Sequence, residues 1–149
     1  METIRKAAKI QSIRVDRPLS IYIAARYGRK AEALEIATEL EKLGHTINSS
    51  WIHQVEDEML YTEGPEAAGR FAAKDLEEIF WSNLLVYLSE PEDNPWGRGG
   101  RHVEFGYALG QNKTVFVIGP LENLFHYLSS VTNFSSVDDF FHYLMEESR

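Results

Sequence analysis

"LLVYLSEPEDNPWGRGGRHVEFGYALGQNKTVFVIG", residues 84–119, is the stretch on which the fold turns. Residues 84–89, LLVYLS, carry the strongest strand signal in the chain, a short apolar run too brief for a helix. "EPEDNPWGRGG" (90–100) is dense in Pro, Gly, Asp and Asn and reads as loop. "RHVEFGYALGQN" (101–112) has apolar residues at helical spacing, and "KTVFVIG" (113–119) is another strand, closed by Pro120. Strand, loop, helix, strand in that order predicts two parallel strands joined by a crossover helix.

The alternation continues towards the N-terminus. "LSIYIAA" (19–25) reads as a buried first strand, and "YGRKAEALEIATELEKLG" (27–44) as a helix. That helix places Ala33, Ile36, Ala37, Leu40 and Leu43 on one face and stops at Gly44. "HTINSSWI" (45–52) reads as a second strand and "EAAGRFAAKDLEEIFWSN" (66–83) as a second amphipathic helix. Residues 54–69 are polar, Glu-rich and without clear period, which suits a loop, a lid or a short helix. Towards the C-terminus, "SVDDFFHYLMEES" (136–148) is a last helix with Asp138 and Asp139 at its positive end. The expected architecture is a three-layer α/β/α domain over residues 19–149. Its core is a doubly wound parallel sheet of about five strands, Rossmann-like or flavodoxin-like, preceded by an arm over residues 1–18.

At 149 residues one domain with a sizeable core is expected. A formal charge of −8 gives no general attraction to nucleic-acid backbone or anionic lipid, so neither a polymeric nucleic acid nor a membrane is an expected partner. The chain has no cysteine, hence no thiol nucleophile and no disulfide, which fits a reducing compartment. The first 17 residues lack the apolar core of a signal peptide, and no apolar run reaches the roughly 20 residues of a membrane span. A cytoplasmic location is the expectation. The five histidines, 45, 53, 102, 126 and 142, show no HxH or HxxxH spacing, so neither a metal nor another cofactor is expected.

Ligands in open α/β sheets bind beyond the carboxyl ends of the strands, and three segments fall there. "AARYGR" after the first strand brings Arg26, Gly28 and Arg29 to a helix start, which suits either a phosphate or a solvated turn. It is neither a Walker loop nor a GxGxxG fingerprint. Arg98, Gly99, Gly100 and Arg101 stand before the third helix, where glycine lets a ligand approach the backbone. Glu104 follows them, either as an acid favoured by the helix dipole or as a nucleophile or base facing the crevice. Asp75 lies mid-helix among other acids, where a solvated face is the plain alternative, and Tyr22 sits inside the first strand. Trp51, Trp81 and Trp96 read as core or loop anchors, with Trp96 also placed to stack on a base.

In series, these segments resemble the nucleoside 2-deoxyribosyltransferase-like family over roughly residues 19–130. "SIYIAARY" is similar to the family's first strand, whose active-site tyrosine matches Tyr22. "KDLEEIFWSNLLVYLSE" resembles its helix-to-strand passage, in which an Asp contacts the base; Asp75 takes that place. "HVEFGYALGQNKTVFVI" resembles the segment carrying the family's nucleophilic Glu, here Glu104. "GPLENLFHYL" resembles the segment that crosses a dimer interface into the neighbour's site, with Asn123 and His126 in the matching positions.

Two departures bear on activity. Where the family usually has an Ala–Asp or Asn–Asp pair before the strand, this chain has Ser82–Asn83. Transferases of the family also place an Asp shortly before the nucleophile, whereas here the nearest preceding acid is Asp93. The gained arginines resemble the branch that hydrolyses deoxynucleoside 5′-monophosphates. The resemblance therefore implies an enzyme: an N-glycosidase acting on (deoxy)nucleoside 5′-monophosphates or nucleosides through a glycosyl-enzyme on Glu104. A nucleoside 2-deoxyribosyltransferase and a non-catalytic nucleotide-binding domain are the alternatives. In this implied scheme Asp75 serves the leaving base, Tyr22 orients Glu104, the arginines hold the phosphate, and the protein is a homodimer or higher homo-oligomer.

Overall fold

A computed structural model describes residues 17–54, 64–91 and 98–147. Residues 1–16 of the N-terminal arm, most of the Glu-rich stretch and Trp96 lie outside the described residues.

Five strands form one sheet: β1 (Ser20–Ala24), β2 (Thr46–Ile47), β3 (Leu84–Leu88), β4 (Thr114–Ile118) and β5 (Val131–Phe134). Their order is β2-β1-β3-β4-β5 and every pairing is parallel. Four helices flank it: α1 (Lys30–Lys42), α2 (Pro65–Phe80), α3 (Gly100–Gly110) and α4 (Val137–Glu147). The chain steps from β1 outwards to β2, then returns past β1 to β3. Right-handed crossovers in these opposite directions put α1 on one face and α2 on the other, which makes the sheet doubly wound. Helix α3 lies beside α2, over β3 and β4.

Cover on both faces explains the central strands. Every residue of β3 and of β4 is buried, so they need continuous apolar runs rather than alternation. On the face opposite α3, Phe116 meets Phe134, Phe140 and Tyr143 edge to face, which locks α4 onto the sheet. The first turn of α4 has the expected acids Asp138 and Asp139, and the Ser136 hydroxyl accepts from Asp139 N–H at 3.1 Å. Helix α2 begins with Pro65 in its first turn, where the missing N–H costs nothing.

Two elements differ from the reading of the sequence. The second strand is two residues long instead of spanning 45–52, and Ser50–His53 forms a 3-10 turn. Side chains take over the pairing there: Ser49 Oγ accepts from Ile23 N–H, and Trp51 Nε1 donates to the Ile23 carbonyl at 2.7 Å. The fifth strand, "VTNF", has no apolar run to announce it. Its Thr132 and Asn133 are buried, and Asn133 Nδ2 is satisfied by the carbonyls of Val117 and Gly119.

Candidate active site

The strand order reverses between β1 and β3, so the chain leaves these neighbours in opposite directions and opens a crevice at their carboxyl ends. A cavity of about 700 Å³ occupies that position, within the range of small-molecule sites. Trp51, Tyr27, Phe71, Leu76 and Val103 supply its apolar wall. Arg26, Gly28, Asp75, Arg98 to Arg101 and Glu104 supply the polar part.

Tyr22 is fully buried on β1, beneath this cavity, and its hydroxyl donates to Glu104 Oε2 from α3. Asp75, from α2, lines the cavity with Glu104, and its charge acts on the same hydroxyl. Carboxyl groups from two helices, 29 residues apart in sequence, thus share the neighbourhood of one phenol, which donates to Glu104. Burial pushes the Glu104 carboxyl up from 4.5 to about 8; the Tyr22 hydrogen bond opposes this, and the neighbouring charges of Asp75 and Glu78 add to it. Asp75 is pushed up from 3.8 to about 6, again chiefly by burial, with Glu78 raising and Lys74 and Tyr22 lowering it. Burial and the flanking carboxylates hold the Tyr22 phenol above its ordinary value, so it remains a donor. Between about pH 6 and 8 the carboxyl pair therefore holds one proton, which suits general acid–base work.

Glu104 is not placed to serve the helix dipole. The first turn of α3 holds no acid, and Glu104 stands one turn further in. What lines the cavity at the helix start is glycine backbone: Gly99 has φ 89°, and among the described residues no side chain caps the helix. The His102 and Val103 amides donate to the Gly99 carbonyl, so those of Gly100 and Arg101 are the ones that suit a ligand.

The arginines are held by carboxylates. Arg101 is 9% exposed; its Nη2 donates to Glu122 Oε1 at 2.6 Å, while its Nε is buried without a partner. Glu122 also accepts from Tyr87, and these two partners hold its carboxyl below its ordinary value against the cost of burial. Arg26 Nε donates to the buried Glu90 at 2.5 Å. Arg29 spans Glu32 and the Ser89 carbonyl and is no part of the cavity wall.

Of the residues singled out in the sequence, the structure brings Tyr22, Asp75 and Glu104 together and sets Arg26, Gly28, Arg98, Gly99, Gly100 and Arg101 around them. Arg29 stays outside the cavity wall, and Asn123 and His126, expected to serve a neighbouring chain's site, lie away from the cavity of their own chain. His126 is fully buried in its own chain, accepting from Glu122 N–H and stacked near Tyr87 and Phe105. The Asn123 side chain accepts from Phe125 N–H. Glu90 and Glu122 were missed. Glu90 directly follows the strongest strand, where its position beyond the carboxyl end was the available signal; Glu122 has none, since only the fold sets it beside Arg101. Among the described residues no group of three or more His, Asp or Glu could hold a metal, and no helix is long and apolar enough to cross a membrane.

No protein-family model and no curated protein matches the sequence. Solved structures do. A 2-deoxyribosyltransferase from the psychrotolerant bacterium Bacillus psychrosaccharolyticus superposes with TM-score 0.62 at 22% identity, over 84% of this chain and 95% of that one. The CMP N-glycosidase of Clostridium botulinum superposes with TM-score 0.51 at 16% identity, over 85% of this chain and 96% of that one. At such identities the likeness is one of fold. The chain shares the three-layer α/β/α fold of these two enzymes.

Proposed function

We propose that this protein is an N-glycosidase that cleaves the base–sugar bond of (deoxy)nucleoside 5′-monophosphates or nucleosides. The observation that carries this reading is the Tyr22 hydroxyl donating to Glu104, with Asp75 beside it, at a cavity lined by apolar side chains, arginines and the glycine backbone of a helix start. The apolar wall would take the base, and the basic side the phosphate. The two solved relatives, one a 2-deoxyribosyltransferase and one a CMP N-glycosidase, support the same class of chemistry.

At rest between about pH 6 and 8 the shared proton sits on Glu104 and Asp75 is ionised; the mechanism uses the opposite arrangement, with the proton moved to Asp75 and Glu104 ionised. As the glycosidic C–N bond breaks, its electron pair leaves with the base, Asp75 gives that base its proton, and a Glu104 oxygen bonds to the anomeric carbon. Water then attacks the same carbon, Asp75 takes its proton, and Glu104 leaves as carboxylate. Burial makes ionised Glu104 costly in the resting protein. Positive charge developing on the sugar offsets that cost in the transition state, so the interaction is strongest when the reaction needs it. Tyr22 orients Glu104 and lies between the two groups that must exchange proton occupancy. Anchoring a phosphate at the basic side would align the anomeric carbon with Glu104.

The test is base release. Wild type and Glu104→Ala are incubated with each nucleoside and 5′-monophosphate, with and without a free acceptor base, and products are resolved chromatographically. Free base from wild type alone, with a glycosyl adduct on the Glu104 peptide by mass spectrometry, is the expected result. Equal release by Glu104→Ala refutes its role. A new nucleoside formed only with acceptor shows base exchange, the reading that the likeness to the 2-deoxyribosyltransferase favours.

A further inference from the structure

The two arginines after β1 differ in how many of their nitrogens are committed. Arg29 Nε and Nη2 donate to the two oxygens of Glu32 at 2.9 and 2.8 Å, and Nη1 donates to the Ser89 carbonyl at 2.7 Å. Its Nη1 also lies 3.6 Å from Glu90 Oε2. All three of its nitrogens are engaged. Arg26 donates only through Nε, to Glu90 Oε1; Nη1 and Nη2 have no partner among the described residues, and Arg26 forms part of the cavity wall.

We propose that Glu90 and Gly28 are positioning residues that make Arg26, and not Arg29, the recogniser of an anionic group on the substrate. The proposal rests on the reading above that the cavity takes a nucleotide. Glu90 stands just beyond the carboxyl end of β3 with its side chain 3% exposed, and both its oxygens face arginine nitrogens. Holding Arg26 by Nε leaves the outer edge of the guanidinium, with Nη1 and Nη2, as a paired donor for phosphate. Gly28 makes the seat. A Cβ built there would come 2.5 Å from Arg26 Nη1 and 3.1 Å from Cζ, so the guanidinium lies across backbone that only glycine leaves bare. The backbone of Gly28 is not in the left-handed region, so alanine is allowed there by conformation and excluded only by Arg26. Arg29 completes the device by neutralising Glu32 and bracing the strand end at Ser89 and Glu90.

The experiment measures equilibrium binding, by calorimetry, of inorganic phosphate, a nucleoside 5′-monophosphate and the parent nucleoside. It compares wild type, Gly28→Ala, Glu90→Gln, Arg26→Ala and the double variants Gly28→Ala/Arg26→Ala and Glu90→Gln/Arg26→Ala, with base release and thermal melts in parallel. Gly28→Ala and Glu90→Gln are each expected to weaken phosphate and monophosphate about tenfold, the effect of one charge-assisted hydrogen bond, and to leave the nucleoside within about twofold. Neither should add to Arg26→Ala, because each acts through that side chain. If Glu90→Gln fails to fold, Gly28→Ala carries the test alone. Equal loss for nucleoside and monophosphate, a persisting effect of Gly28→Ala in the Arg26→Ala background, or no phosphate binding by wild type overturns the proposal. Phosphate binding that Gly28→Ala and Glu90→Gln weaken only while Arg26 is present, without base release, upholds the positioning role and refutes the glycosidase reading instead.

Discussion

Replacing Glu104 by glutamine removes a carboxyl that the fold keeps from ionising, so the variant should lose turnover and gain stability. The magnitude follows from proton linkage. The Glu104 carboxyl ionises near 4.5 in an unfolded chain and near 8 in the folded one, so between those values the folded state binds more protons. The penalty is absent below about pH 4.5, grows as pH rises, and is complete above about 8. A shift of that size has an upper limit of about 5 kcal/mol at 1.36 kcal/mol per pH unit. Glu104 is partly exposed to the cavity, and water there screens the charge, so about 2 kcal/mol is the realistic figure. For a domain of this size that raises Tm by about 4–8 °C. Glutamine still offers Tyr22 an acceptor oxygen, so the buried hydroxyl keeps its partner. Denaturant melts of wild type and Glu104→Gln at intervals from pH 5 to 8.5 would show the two converging at the acid end and separating steadily above it. A stability difference independent of pH, or a variant less stable at pH 8, would refute the buried-carboxyl account of this site.

Further predictions use the same geometry. The pH profile of base release should be a bell, rising through about 6 and falling through about 8, because the productive carboxyl pair holds one proton; a flat profile across that range would count against it. Tyr22→Phe removes the hydrogen bond that lowers the Glu104 value, so the alkaline limb should move up, with kcat reduced about tenfold or more; steady-state kinetics across pH would read both. Glu122→Gln leaves the buried Arg101 guanidinium without its counter-charge and should cost about 2–3 kcal/mol in a urea melt; a loss under 0.5 kcal/mol, about the size of a neutral surface substitution, would mean the pair is not held as described. Leu124, Phe125 and Tyr127 form a largely exposed apolar turn next to Glu122. If the chain is a homo-oligomer through this turn, Phe125→Glu should shift light scattering towards monomer, and a wild-type monomer at micromolar concentration would end that idea.

The sheet and its helices were legible because their signals are local. Continuous apolar runs at 84–88 and 114–118 arise only where both faces of a strand are covered, and the helical periods between them leave a parallel crossover as the consistent assembly. The second strand was read too long and the fifth was not located, for the complementary reason. Their place in the sheet depends on partners outside the segment: Ile23 for Ser49 and Trp51, and the β4 carbonyls for Asn133.

The residue types that could do chemistry were also visible, as a glutamate and glycines beyond a strand end and a tyrosine within a strand. What the sequence by itself could not determine was which of them meet and in what state of charge. Asp75 reads as one acid among several on a helix; only the packing of α2 beside α3 over β1 brings it to the Tyr22 hydroxyl and raises its pKa. Arg26, Arg29 and Arg101 look equivalent in the sequence. The tertiary structure separates them by the carboxylates it sets beside each, Glu32 and Glu90 against Arg29, Glu90 against Arg26 and Glu122 against Arg101. Burial and charge pairing depend on distances between segments far apart in the chain, and a linear pattern does not contain those distances.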